Sequence, residues 1–395
     1  MIPPPSRAVH FVQDVLAPAI SKGGGTIPFH LFMDLALYDE HHGYYSRPSV
    51  KIGSGGDFIT APAISSIFSE IILLEWIHLW QWMGRPQRFT VLELGGGNGQ
   101  FAHDVWLAAR HFPDFQQALS WVMLERGDRT LQQRHLSDMA EVGRCRWIDA
   151  LEQMLPDGVT GVIFSNEVMD ALPVHWLEMT AEGWCEIGVS VDDDGGLCTK
   201  LIPLQPPLTN DYLIDHLGAD WSPGMRTEVG LVGQQMMHTM GTVLRQGICM
   251  TFDYGYPAHE YYSAAFPYGT LTGFFQHQKI ENPLEYPGQM DLTAHVDFTA
   301  LARAGQRAGL ETLGFTTQGW YLISLGILDR LEQAQQAQRL AGSDHEQLTQ
   351  AVKRLVMPNA MGERFKVLLQ GRGVAAEALA GLQMNNQKKR LHIGM

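Results

Sequence analysis

The chain has 395 residues, more than one ordinary core needs, so a catalytic domain with additions is expected. Hydrophobic residues make up 45% and charged residues 18%, the balance of a globular protein, and a formal net charge of −14 sets the surface against phosphate backbones and so against non-specific nucleic-acid binding. The four cysteines, Cys145, Cys185, Cys198 and Cys249, make no CxxC pair, which argues against a zinc knuckle or a disulfide framework and for reduced thiols.

Residues 1 to about 85 read as helical, with apolar residues at helical spacing over Phe29–Tyr38 and Ser66–Met83. The longest apolar run, Ile64–Trp82, is interrupted by Glu70, Glu75 and His78 and reads as a buried amphipathic helix, so no membrane partner is expected. Met1–His10 carries neither a signal nor a transit pattern, from which a cytoplasmic, bacterial-type protein is expected. Between the two helices lies a glycine-rich loop, Lys51–Thr60, of the kind that carries function on a rigid frame.

From Phe89 the pattern becomes an alternation of short apolar strands and helices. Strands are expected at Phe89–Leu94, Leu119–Glu125, Arg144–Asp149, Val159–Ser165 and Gly247–Phe252, with a helix at Gln100–His111. This βαβ order implies an α/β fold with a doubly wound, Rossmann-like parallel sheet whose ligand sits at the C-terminal strand ends. Leu310–Thr317 and Phe365–Gln370 are expected as final strands, added antiparallel, with the helical stretch Leu328–Val356 inserted between them. The expected division is a helical cap or lid over 1–85 and a catalytic domain over 86–375, followed by a peripheral tail over 376–395. Insertions are expected at about 192–245, 256–300 and 318–360.

The sequence Val91-Leu-Glu-Leu-Gly-Gly-Gly-Asn-Gly99 follows the first strand and opens a helix. Gly95, Gly96, Gly97 and Gly99 let the backbone turn tightly and approach a ligand, and the helix amides behind them favour polar ligand groups. Three carboxylates surround this turn: Glu93 before it, Glu125 at the end of the second strand and Asp149 at the end of the third. Glu125 is placed to accept ribose hydroxyls and Asp149 an adenine amino group. Three acids suit a cationic sulfonium better than a dinucleotide pyrophosphate, so S-adenosyl-L-methionine is the expected cofactor, with a nicotinamide dinucleotide as the alternative. Helix capping is the plain alternative for each acid.

The fourth strand opens into Asn166-Glu-Val-Met-Asp170, where Glu167 and Asp170 would hold a substrate nitrogen beside the reactive methyl group. The late stretch Asp291-Leu-Thr-Ala-His-Val-Asp-Phe298 gathers Asp291, His295 and Asp297. Helix capping accounts for Asp297 as well as a metal would, no HExxH is present, and no metal centre is expected.

Together these segments resemble the family of the mitochondrial complex I assembly factor that methylates protein arginine, with its bacterial relatives. The matching segments are Gly43-Tyr-Tyr45, Gly56-Asp-Phe-Ile-Thr60, Leu92–Gly99, Ser165–Val174, Asp253-Tyr-Gly255, Asp291–Phe298 and Met361-Gly-Glu-Arg-Phe365, in family order along nearly the whole chain. The resemblance implies a class I methyltransferase fold with S-adenosyl-L-methionine as donor. It also implies that the Gly56–Thr60 segment, with Asp57, Phe58 and Thr60, closes over the cofactor, and that Asn166 stands in the binding motif. It suggests a protein arginine as acceptor, on a respiratory complex I subunit or its equivalent. This chain has Gly96 where the family often has Pro, and Ala63 where it often has Glu.

On this reading Glu167 and Asp170 orient the guanidinium, Asp291 assists, and His295 takes the released proton. Two alternatives stand beside it: an assembly chaperone that keeps the cofactor as a structural ligand, and a small-molecule N-methyltransferase. A homodimer is compatible with the sequence.

Overall fold

A computed structural model describes residues 10–46, 61–218, 220–276, 278–340 and 346–393. The chain folds as two compact units. One draws its described residues from 50–168, 236–255 and 298–395; the other from 1–49, 169–235 and 256–297.

The larger unit is built on a sheet of strands β1 (Phe89–Leu94), β2 (Leu119–Leu124), β3 (Cys145–Ile148), β4 (Val159–Asn166), β5 (Leu244–Tyr256), β6 (Glu311–Thr317) and β7 (Phe365–Arg372). Their order is β6-β7-β5-β4-β1-β2-β3. Pairs β1–β2, β1–β4, β2–β3 and β4–β5 are parallel, while β7 runs antiparallel to both β5 and β6. Every residue of β1 and β2 is buried, as near-continuous apolar runs must be when helices cover both faces.

Of the two final strands expected to be antiparallel, only β7 is reversed. The helix Phe298–Arg307 returns the chain before β6, and a helical crossover delivers the next strand parallel to the earlier ones. The insertion expected between β6 and β7 is helical, with helices Gln318–Ser324, Ile327–Leu340 and Glu346–Val356.

Helix α1 (Ser66–Trp82) belongs to this unit rather than standing with residues 1–49. Its Trp76 is fully buried, with its ring 5.7 Å from Phe101, 5.7 Å from Phe164 and 5.9 Å from Trp121, so the helix is a layer of the core. Glu75 beside it is buried because its carboxylate accepts from Tyr321 Oη (3.2 Å) and from the amides of Ala380 (3.0 Å) and Gly381 (3.2 Å).

Those last bonds correct the expectation of a peripheral tail. Leu379, Leu382 and Leu391 are buried, and Gln387 N donates to Phe315 O at 2.6 Å. The segment is a series of single 3-10 turns, too short to show a helical period, yet its leucines anchor it in the core.

The smaller unit contains helix Phe29–Tyr38 and an antiparallel sheet in the order Ile27–Pro28, Gly183–Val191, His175–Thr180, Arg226–Val229, with Leu197–Ile202 also paired to Gly183–Val191. A three-stranded sheet, Gln278–Ile280, Thr272–Phe275, Asp291–Thr293, completes it. This unit takes up the chain at Met169, well before the expected insertion at about 192.

Candidate active site

The glycine turn leaves β1 with Gly95, Gly97 and Gly99 at φ 59°, 56° and 84°, the left-handed region that glycine adopts without penalty. Asn98 Oδ1 then accepts from Gln100 N, the first amide of helix α2 (Gln100–Ala109), at 3.0 Å. Gly96 packs against β2: an added Cβ would meet Met123 at 2.7 Å and the Glu93 carboxyl carbon at 3.1 Å.

The three expected carboxylates occupy different environments. Glu93 is buried beneath the turn, its Oε2 accepting from Trp121 Nε1 at 2.9 Å. Burial pushes its carboxyl up to about 8, so it is uncharged at neutral pH and supports the turn from within. Glu125 lies at the end of β2 and is half-buried. Its Oε1 accepts from Gly127 N (3.0 Å) and its Oε2 from Gln132 Nε2 (2.8 Å). Those bonds use two of about four acceptor sites, leaving capacity for a diol. Asp149 is exposed and paired to Arg129 Nη2 at 2.5 Å. The same Arg129 nitrogen donates to the carbonyls of Glu125 (2.7 Å) and Ile148 (3.1 Å), fastening the two strand ends together.

Gln132 has no signal in the sequence, yet it organises this end of the sheet. It is fully buried, and its Nε2 bridges Gly97 O (3.0 Å) and Glu125 while its Oε1 accepts from Trp147 Nε1 (2.9 Å). The turn and the acid after β2 are therefore held at a fixed separation.

Strand β4 ends at Asn166, one step beyond the Leu94–Ser165 pair and so alongside Gly95. Asn166 Oδ1 is buried without a hydrogen-bond partner among the described residues, while its Nδ2 donates to Glu167 Oε1 at 3.1 Å. Glu167 adopts φ 54°, uncommon for a residue with a side chain. Asp253, fully buried in β5, accounts for this turn: its Oδ2 accepts from Val168 N (3.2 Å) and its Oδ1 from Tyr254 N (2.9 Å), while Phe252 O accepts from Glu167 N (3.0 Å). Asp253-Tyr-Gly255 thus acts as the clamp on Glu167. Tyr254 also meets the Met361–Phe365 motif, with its ring 5.6 Å from Phe365 and under Arg364 at 5.9 Å.

Asp170, Asp291 and His295 lie in the smaller unit. Asp291 Oδ1 accepts from Tyr45 Oη at 2.8 Å, joining the Gly43-Tyr-Tyr45 motif to the strand Asp291–Thr293. Burial, then the charges of Asp291 and Asp170, hold the Tyr45 phenol well above its ordinary range. The His295 amide donates to Thr270 Oγ1 (2.9 Å) and its ring lies 5.4 Å from Tyr256 and 6.0 Å from Phe266. Asp297 pairs with His216 at 3.3 Å. Asp57, Phe58 and Thr60 lie outside the described residues.

The buried state of Glu93 has a measurable consequence. Its folded-state value of about 8 lies above its ordinary 4.5, so the folded chain holds a proton that the unfolded chain releases in between. That contribution is complete below pH 4.5 and is lost as pH rises through about 8. Glu93→Gln removes the titration while keeping an acceptor for Trp121. Urea unfolding of the two proteins from pH 5 to 9 is expected to show the variant gaining on the native protein, by on the order of several kcal/mol at the upper end. Parallel profiles would mean that Glu93 is solvated.

A model of the family of S-adenosyl-L-methionine-dependent methyltransferases matches residues 72–316. Among solved structures, a Burkholderia thailandensis protein bound to S-adenosyl-homocysteine is 31% identical, with a TM-score of 0.87, covering 98% of this chain and 99% of its own. A second structure from the same organism is 32% identical, with a TM-score of 0.82, covering 96% of this chain and 97% of its own. Among curated relatives, the mitochondrial protein arginine methyltransferase NDUFAF7 of Danio rerio is 29% identical over 87% of this chain and 82% of its own. Its human counterpart is 27% identical over 87% and 80%. These relatives overturn the expectation of a cytoplasmic protein, because they are named as mitochondrial. Among the described residues, no helix is long and apolar enough to cross a membrane.

Proposed function

Because the chain belongs to the family of S-adenosyl-L-methionine-dependent methyltransferases, we propose that it transfers the methyl group to an arginine guanidinium of a protein, held at Glu167. The cofactor is S-adenosyl-L-methionine. The residues at the end of the sheet fit it: an unpartnered buried oxygen on Asn166, a ribose-accepting carboxylate on Glu125 and the left-handed turn from Gly95 to Gly99. When bound, it supplies an electrophilic methyl on a sulfonium, and its sulfur is left neutral by the transfer.

The observation that carries the acceptor assignment is the backbone of Glu167. A left-handed residue other than glycine is strained by about 1–3 kcal/mol, and such strain persists where surrounding bonds over-determine it. Here Asp253, Phe252 and Asn166 hold both the backbone and the carboxylate of Glu167. A preorganised carboxylate matches a guanidinium, whose fork of N–H donors it can accept bidentately. The guanidinium is a poor nucleophile because its lone pair is delocalised. Fixing one side of it would leave the other nitrogen oriented for attack, and one proton leaves to solvent for each methyl gained. The names of the curated relatives support the same acceptor.

The test is transfer of labelled methyl from S-adenosyl-L-methionine to candidate protein substrates, respiratory complex I subunits first, followed by hydrolysis and identification of the methylated residue. Label in methylarginine is expected. Label only in lysine or in small amines overturns the arginine assignment, and saturable cofactor binding without transfer to any protein favours an assembly chaperone that keeps the cofactor as a structural ligand.

A further inference from the structure

The smaller unit brings together three side chains that methyl transfer does not use. His30 stands near the start of helix Phe29–Tyr38, His175 opens strand His175–Thr180, and Glu186 lies on strand Gly183–Val191. Each offers one ligand atom, and the three atoms lie within 4.8 Å of one another. Glu186 Oε1 is 2.7 Å from His175 Nδ1 and 3.4 Å from His30 Nδ1, and the imidazole centroids are 4.0 Å apart.

Hydrogen bonding within the trio accounts for only part of this arrangement. Glu186 is fully buried, and its second oxygen, Oε2, has no hydrogen-bond partner among the described residues. A buried carboxylate oxygen without a partner is destabilising, because it has given up water for nothing. The His30 side chain is 24% exposed, so the cluster opens to solvent on one side.

We propose that His30, His175 and Glu186 form a binding site for a divalent transition-metal cation, zinc being the one that the ligand set suits. Two imidazoles and one carboxylate are ligands that zinc takes together, with a solvent molecule in the fourth position. Zinc bonds of about 2.0–2.2 Å put tetrahedral ligand atoms roughly 3.3 Å apart. The present 2.7 and 3.4 Å from the Glu186 oxygen bracket that spacing, and no pair of the three ligand atoms is more than 4.8 Å apart. The ion would replace the hydrogen shared by His175 and Glu186 and bring Oε2 into coordination or its immediate surroundings. It would also fasten the helix carrying His30 to the strands carrying the other two ligands. Sequence spacing gives no warning of this site, since His30 and His175 stand 156 and 11 residues from Glu186.

The experiment is calorimetric titration of the chelator-stripped full chain with zinc chloride, with thermal unfolding measured alongside. The native protein is expected to take up one equivalent and to melt at a higher temperature with zinc. His30→Ala and His175→Ala should each weaken uptake at least tenfold and abolish the thermal shift, whereas His259→Ala, an exposed histidine elsewhere, should leave both unchanged. Magnesium should not substitute. No saturable zinc uptake, or uptake that survives both ligand substitutions, overturns the site. If His175→Ala does not fold, His30→Ala at the solvent edge decides alone.

Discussion

Replacing Glu167 by glutamine is expected to lower kcat about 100-fold while leaving the affinity for S-adenosyl-L-methionine unchanged. Glutamine keeps the shape and can still accept from Asn166 Nδ2, so the left-handed turn and its clamp by Asp253 survive. What is lost is the charge. Hydrogen bonds to a charged group contribute about 1.5–3 kcal/mol, and each 1.4 kcal/mol is a factor of ten in rate. The effect falls on turnover because the substitution disturbs the orientation of the acceptor and not the glycine turn, where the cofactor is proposed to bind. Steady-state kinetics with calorimetry of cofactor binding separate the two. A variant whose kcat stays within twofold of the native value removes Glu167 from the reaction. A variant whose cofactor affinity falls in parallel with kcat places Glu167 in the cofactor site instead.

The contrast between Glu93 and Glu125 shows how far the sequence carries the site. Both were legible as acids beside a glycine turn, because their positions follow from strand ends and strand ends follow from apolar runs. Their chemical states were not. Glu93 is neutralised by burial beneath the assembled turn, which outweighs the bond from Trp121 on the neighbouring strand, and no local pattern reports on surroundings that include a partner 28 residues away. Gln132 is invisible for the same reason, since its bonds to Gly97, Glu125 and Trp147 depend on how the turn, the helix and β3 assemble. The strands of the central sheet were legible from near-continuous hydrophobic runs. The hairpin His175–Thr180 and Gly183–Val191 was not, because its two-residue loop is Ala181-Glu182 and lacks the Asn-Gly type of signature. For that reason the insertion was expected to start later than it does.

The motifs that stayed unexplained at the level of sequence acquire partners in the structure, each within its own unit. Tyr45 of Gly43-Tyr-Tyr45 donates to Asp291, and Arg364 and Phe365 of the late motif surround Tyr254 of Asp253-Tyr-Gly255. Segments far apart in the chain therefore hold one another, and the clamp on Glu167 comes from Asp253 in β5, the strand that pairs with β7.

The other large effect is expected at the turn itself. Gly97→Val should reduce affinity for S-adenosyl-L-methionine by at least about 100-fold while the chain stays folded. At φ 56° a residue with a Cβ is strained by about 1–2 kcal/mol, and branching at Cβ makes that conformation rarer still. The backbone can relieve the strain only by rotating away from the left-handed region. That rotation moves Gly97 O, the acceptor for Gln132 Nε2, and through Gln132 it disturbs Glu125. One substitution thus displaces both the amides of the turn and the carboxylate placed for the ribose, which is why the loss should exceed the strain energy alone. The core of β1, α1 and α2 lies beneath the turn and does not depend on that rotation, so thermal unfolding should shift by only a few degrees. Calorimetric titration with S-adenosyl-homocysteine alongside a melt is the measurement. Native-like binding by the folded variant would mean that the cofactor is held away from this turn, and the assignment of Glu125 and Asn166 as its ligands would fall with it.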